Sequence, residues 1–306
     1  MKKKFEKKFS FGISLNISLS EYEEILKKYT KYINSAYFSL PCGDEFHTRA
    51  RVVEEYQQEN SIHKLLEILK LLKKYEIKLE AVINQYKISD EKLEQGLKFL
   101  KNNIEVDSIC ILDEYREIVR KYYPNIELVY SFNNVPVLER NFKNISKDYT
   151  ELVIGKELLR KPNVIKSIKE HGFKVKFLLN GGCSFNCGTC RTGNRNCVKT
   201  YQKNLEKFTR TELYAIQSFF PWELEKITNI LNNNEIDEFK ISCRPCNKIY
   251  LENCLESYIL YNKSEEEYIE ENIDNYYLWG RQSEINKKLT DYNIKEINAI
   301  KESLWE

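Results

Sequence analysis

The chain is sparing with the residues that punctuate loops. Its 306 positions hold only 10 Gly, 6 Pro, 3 His and 1 Met. So little Gly and Pro excludes collagen-like and low-complexity architectures. Charge of one sign is also lacking, since 48 Lys and Arg stand against 46 Asp and Glu for a net +2. That balance excludes an acidic disordered tail and a basic nucleic-acid arm, and it disfavours nucleic acid as a partner. No run approaches 18 apolar residues, so no membrane span and no membrane partner are expected. The opening MKKKFEKKFSFGISLNISLS has a basic head, but Asn16 and several serines break its apolar part and no cleavage box follows. It reads as a first strand rather than a signal peptide, and the expected location is the cytoplasm.

The 42% of apolar residues is instead arranged in order. Eight short β-rich runs begin near Phe9, Ser35, Leu79, Asp107, Ile126, Glu151, Lys174 and Asp237. Each reads as a strand buried on both faces. Between them lie amphipathic patterns. In SLSEYEEILKKYTKYI, Ser20 is the expected cap and Tyr22, Ile25, Leu26 and Tyr29 share one face. Asp90 is the expected cap of DEKLEQGLKFLKNN, KELLRKPNVIKSIKEHG reads as one helical stretch, and His171-Gly172 as its exit. Alternating strands and helices predict an α/β fold, a (β/α)8 TIM-like barrel over residues 1–262, with an open doubly wound sheet as the rival. No glycine-rich phosphate loop follows the first strand, which weakens a dinucleotide-binding version of that rival. Residues 263–306 change to an acidic and aromatic pattern ending near Trp305, expected as a C-terminal helical extension packed on the barrel.

Nine cysteines without a secretion signal argue against a disulfide framework. Cys183, Cys187, Cys190 and Cys197 fall within fifteen positions in FLLNGGCSFNCGTCRTGNRNC, directly after the seventh strand. In a parallel barrel that segment starts at the C-terminal mouth, where active sites are built. Glycines around the thiols let the backbone wrap a compact inorganic group, and four thiolates suit a 4Fe-4S iron-sulfur cluster or an all-thiolate Zn site. Cys42 follows the second strand, and Cys243 and Cys246 follow the eighth, so Cys42 and Cys243 are substitute ligands. Cys110 reads as a small core residue, and Cys254 lies on a helix.

The C-x3-C-x2-C spacing of Cys183, Cys187 and Cys190 resembles that of radical S-adenosylmethionine enzymes, although six strands precede the one that carries it and Thr189 stands where an aromatic residue is usual. A broader resemblance runs through the strand ends. Gly43 to Ala50, Val153-Ile154-Gly155-Lys156-Glu157-Leu158, Phe177 to Cys183, Phe220-Pro221-Trp222-Glu223-Leu224 and Phe239-Lys240-Ile241-Ser242-Cys243-Arg244 are similar, in that order, to segments of the collagenase-like peptidase family and its iron-sulfur hydroxylase relatives. Three positions depart from the family pattern: Lys156 for Arg, Asn180 for a histidine, and Cys243 for a glycine. The resemblance implies a cluster at the barrel mouth, held by Cys183, Cys187, Cys190 and Cys197 with Cys42 or Cys243 in reserve.

Beside the thiols, Lys240, Ser242 and Arg244 alternate onto one face of the eighth strand. Lys240 and Arg244 would hold a carboxylate of the substrate, or pair with a barrel carboxylate such as Glu157 or Glu80. Arg49 is a candidate for orienting substrate and His47 for proton transfer. Asn133-Asn134 would donate amide hydrogen bonds to a ligand or form a turn. The lysine runs Lys2 to Lys8 and Lys174 with Lys176 read as solvated faces. The expected function is an oxygen-sensitive iron-sulfur oxidoreductase, a hydroxylase or related enzyme, acting on a small-molecule or peptide substrate with an electron donor protein or partner subunit. The alternatives are a radical S-adenosylmethionine enzyme, a peptidase and a noncatalytic zinc-binding subunit.

Overall fold

All eight expected strands form. The computed structural model describes residues 6–43, 46, 50–134, 141–179, 203–217, 221–231, 236–242, 246–260 and 294–305. The strands are β1 (Phe9–Gly12), β2 (Ile33–Ser39), β3 (Lys78–Ile83), β4 (Ser108–Ile111), β5 (Glu127–Tyr130), β6 (Tyr149–Ile154), β7 (Lys174–Leu178) and β8 (Glu238–Ile241). Every neighbouring pair is parallel, and β8 returns to β1 through Phe9↔Phe239, Ser10↔Lys240 and Phe11↔Ile241. The barrel is therefore closed, and the open doubly wound alternative does not apply. Closure leaves no exposed sheet edge and puts all eight C-terminal strand ends on one rim.

The helices are α1 (Leu19–Tyr29), α2 (Ala50–Tyr56), α3 (Ser61–Lys74), α4 (Asp90–Asn103), α5 (Arg116–Tyr122), α6 (Lys156–Leu159), α7 (Pro162–Glu170), α8 (Arg210–Gln217), α9 (Pro221–Ile230), α10 (Lys248–Leu260) and α11 (Ile294–Ser303). Among the described residues no helix is long and apolar enough to cross a membrane. In α1 the buried residues are Tyr22, Ile25, Leu26 and Tyr29, as the spacing predicts.

Three local expectations change. Ser18, not Ser20, caps α1, because Ser18 and Glu21 satisfy each other's backbone amides in a capping box that Ser20 has no equivalent partner to form. Ser89 caps α4, which leaves Asp90 in the first turn, where its charge favours the positive end of the helix. The stretch after β6 divides into α6 and α7, because Pro162 starts a helix well and continues one badly. Its exit is as expected: His171 caps α7, and Gly172 takes φ 87°, a left-handed conformation that suits glycine.

The last helix is fastened by charge. Glu223 of α9 accepts from Arg160 Nε at 2.8 Å and from Lys301 Nζ of α11 at 2.7 Å, and Lys301 also donates to the Ala215 carbonyl of α8 at 3.1 Å. All three side chains are buried. Burial opposes the Glu223 charge, but Lys301 and then Arg160 outweigh it and hold the carboxyl below its usual range. Removing one member of a buried ionic group strands the others without solvent or partner. Glu223→Ala is expected to lower unfolding free energy by about 3–5 kcal/mol in chemical denaturation. A loss below about 1 kcal/mol would mean that the trio contributes no more than a surface pair.

Candidate functional site

Strand side chains alternate between the lumen and the helices, so each strand sends every second residue inward. Tyr37, Val82, Cys110, Val129 and Val153 form one apolar lumen layer, with Leu178 and Phe132 packed on it. Two residues earlier on β3, β6 and β7 stand Glu80, Glu151 and Lys176, so the step nearer the N-terminal strand ends is charged. Lys176 Nζ lies 2.5 Å from Glu80 Oε2, 2.8 Å from Glu151 Oε2 and 3.1 Å from Glu238 Oε1. Three carboxylates thus converge as they would on a cation, and the cation is a lysine of the chain itself. Glu238 also accepts from Ser35 Oγ at 2.8 Å and from the Asn34 amide.

Lys240 starts beside Leu178 in the strand register, but its ammonium reaches Glu80 Oε1 at 2.8 Å and lies 3.8 Å from the centre of the Tyr37 ring. Of the two arrangements open to Lys240, the structure takes the ion pair with Glu80. The ammonium is engaged in the lumen rather than standing at the rim to receive a carboxylate. The lysine run is likewise corrected: Lys174 is half exposed on Glu127, whereas Lys176 is the centre of a buried network. Lys8 is also partly buried, donating to the Ile236 carbonyl at 2.5 Å. The sequence held a usable signal, since acidic and basic residues at alternate positions of otherwise apolar strands must point the same way as their inward neighbours.

These contacts set the protonation states. For Glu80, burial opposes ionisation, yet Lys176 and Lys240 outweigh it and hold the carboxyl down to about 2. For Glu151, burial raises the carboxyl to about 7, aided by the charges of Glu238 and Glu80 and opposed by Lys176. Burial would lower Lys176, but its three carboxylate neighbours keep it well above the ordinary lysine value. Cys110, in the layer above, is raised to about 12 by burial and then by Glu80. It is a neutral core thiol at physiological pH, as its sequence context suggested.

Around the C-terminal rim, several polar groups serve the framework. Asn134 Nδ2 donates to the Ile111 carbonyl at 2.9 Å and its Oδ1 accepts from the Asp113 amide at 2.7 Å. Asn133 Nδ2 donates to the Asn84 carbonyl at 3.1 Å. The pair ties the ends of β3, β4 and β5 together, so these amides are spent on backbone rather than held out for a ligand. Cys42 is half-buried after β2, and Cys246 is buried after β8. Leu179 is fixed to β8 by its amide on the Lys240 carbonyl at 3.0 Å, directly before the cysteine-rich segment.

Cys183, Cys187, Cys190, Cys197, Cys243, His47, Arg49 and Arg244, together with Asn180 and the side chain of Glu157, lie outside the described residues. Among the described residues no group of three or more His, Cys, Asp or Glu is arranged to hold a metal.

The lumen network makes stability depend on pH. The folded carboxyl of Glu151 is raised, so its contribution falls as pH rises from about 4.5 through about 7. Glu80 is depressed, so its contribution is present above about 4.5 and lost toward about 2. Glu151→Gln keeps an oxygen for Lys176 and removes the titration. It is expected to raise stability at pH 8 relative to its effect at pH 5 by on the order of 2–3 kcal/mol. Thermal melts across that range check it, and equal effects at both pH values would contradict the assignment.

No family model matches the chain, and no curated protein matches it. Solved structures are similar in fold. A U32 peptidase aligns at 10% identity with a TM-score of 0.49, covering 77% of this chain and 92% of that one. A glycoside hydrolase family 5 mannosidase from Rhizomucor miehei aligns at 10% identity and 0.45, over 78% and 80%. A dihydrodipicolinate synthase from Agrobacterium tumefaciens aligns at 8% identity and 0.42, over 99% and 98%. These likenesses concern the barrel alone.

Proposed function

We propose that the chain is an iron-sulfur-dependent redox enzyme, a hydroxylase or a related modifying enzyme, acting at the C-terminal mouth on a small molecule or peptide. One observation carries the reading. The segments holding Cys42, the group Cys183 to Cys197, and the pair Cys243 and Cys246 leave from the C-terminal ends of β2, β7 and β8. Since β7 and β8 are neighbours and β8 is joined to β2 through β1, these departures crowd one sector of one rim.

The donor set fits the group. Cys183, Cys187, Cys190 and Cys197 supply four thiols in a short glycine-containing stretch, with Cys42 and Cys243 as substitutes. Such a cluster, when bound, supplies one-electron transfer. The chain's own residues would bind and orient the substrate: Arg49 and Arg244 by pairing with an anionic part, and His47 by moving a proton near neutral pH. Lys240, already committed to Glu80, is not assigned to substrate. The reading also implies a reducing compartment such as the cytoplasm, and an electron donor protein or partner subunit.

Anaerobic purification with iron, sulfide and zinc quantification and an absorption spectrum tests this. The expected result is about four iron and four sulfide per chain, falling to a minor fraction in Cys183→Ala. Zinc without sulfide would replace the proposal with a structural zinc site, and a full cluster in Cys183→Ala would remove that residue from the ligand set.

A further inference from the structure

Ser14 lies two residues beyond the end of β1 and is fully buried, yet it packs against no single apolar surface. Its backbone is held from one side by the buried Tyr22 of α1, whose hydroxyl accepts from the Ser14 amide at 2.8 Å and donates to the Ser14 carbonyl at 2.9 Å. Its own hydroxyl faces the other way. Oγ accepts from the Cys246 amide at 3.1 Å, lies 2.8 Å from the Cys246 carbonyl, and is in hydrogen-bond contact with Glu55 of α2. Glu55 is itself buried. One serine therefore joins four parts of the rim: the end of β1, α1, α2 and the chain leaving β8.

The contact with Cys246 is unusual in using both backbone groups of one residue on one side-chain oxygen, across 232 positions of sequence. Four residues earlier, Ser242 is buried at the end of β8. The stretch of Cys243, Arg244 and Pro245 is thus bounded on both sides by residues that are fixed, one by the barrel and one by Ser14. Three residues between two fixed points have little freedom to wander.

We propose that Ser14 is a positioning residue for the mouth: by clasping Cys246, it holds the strand-eight segment that carries Cys243 and Arg244 to the rim. The consequence for cluster or substrate rests on the iron-sulfur reading above, whereas the clasp itself does not. Ser14→Ala would leave the Cys246 amide and carbonyl without their shared partner in a buried place, and the segment should open locally.

The test is alkylation of individual thiols in the full-length chain, purified anaerobically and treated with a chelator, with labelled peptides quantified by mass spectrometry. Cys110 is the internal control, because it sits in the lumen and reacts only when the barrel itself opens. Ser14→Ala is expected to raise the labelling rate of Cys246 by about tenfold while Cys110 stays at the wild-type rate. Ser14→Thr, which retains the hydroxyl, is expected to restore slow labelling. Should Ser14→Ala not accumulate, Tyr22→Phe removes the hydroxyl that holds Ser14 in place and is expected to raise Cys246 labelling in the same selective way.

Labelling of Cys246 within about twofold of wild type would overturn the proposal. Parallel acceleration of Cys246 and Cys110 would also overturn it, by showing a general loss of stability. Iron and sulfide measured on untreated portions of the same preparations separate the two ideas. A wild-type chain without iron would end the iron-sulfur reading, and the thiol rates would still decide the clasp.

Discussion

The ammonium of Lys176, surrounded by Glu80, Glu151 and Glu238, is the interaction on which the interior of this barrel depends. A lumen of this kind is ordinarily filled by branched apolar side chains in layers. Here one step of the filling is ionic, and no member can be lost without leaving buried charge behind. Counting Lys240, two ammoniums face three carboxylates, so full ionisation would leave one negative charge in a dry space. A proton on Glu151 resolves that imbalance. Among the described residues Glu151 has Lys176 as its one cation, while Glu80 has two and Glu238 has added hydrogen bonds from Ser35 and Asn34. The least supported carboxylate is the one that keeps its proton.

Above this network the layer of Tyr37, Val82, Cys110, Val129 and Val153 separates ionic interior from rim. The separation has a chemical meaning. A thiol held in that layer is kept neutral, whereas a thiol in a segment beyond the strand ends is free of that constraint. Buried position therefore divides cysteines that pack from cysteines that can bind metal, and Cys110 falls on the packing side. The same division explains why Lys240 serves the framework: its stem begins at the apolar layer, and the nearest uncompensated charge for its ammonium is Glu80 below.

The rim is tied together by two kinds of device. Asn133 and Asn134 use side-chain amides to bind the ends of β3, β4 and β5, and Ser14 binds β1 to α1, α2 and the exit of β8. Both are side-chain to backbone contacts, which orient loops without adding charge to the mouth. On the outer wall, the trio of Arg160, Glu223 and Lys301 fastens α11 to helices more than seventy residues earlier in the chain.

Strand positions, their order and the apolar face of α1 were legible in the sequence, because periodicity in apolar residues reports directly which way side chains must face. Closure of the barrel followed from eight strands alternating with helices. The concentration of thiols beyond β7 was legible too, as spacing alone. What sequence could not decide was partnership. Lys240 had two plausible destinations and Asn133 and Asn134 had two plausible uses, and each was resolved by groups 20 to 160 positions away. Ser14 and Glu55 carried no motif, since a serine and a glutamate become a clasp only when Cys246 is brought against them. Local patterns determine elements because they act through neighbouring residues. Ion pairs and clasps depend on which distant atoms meet in low dielectric, and that is settled when the barrel closes.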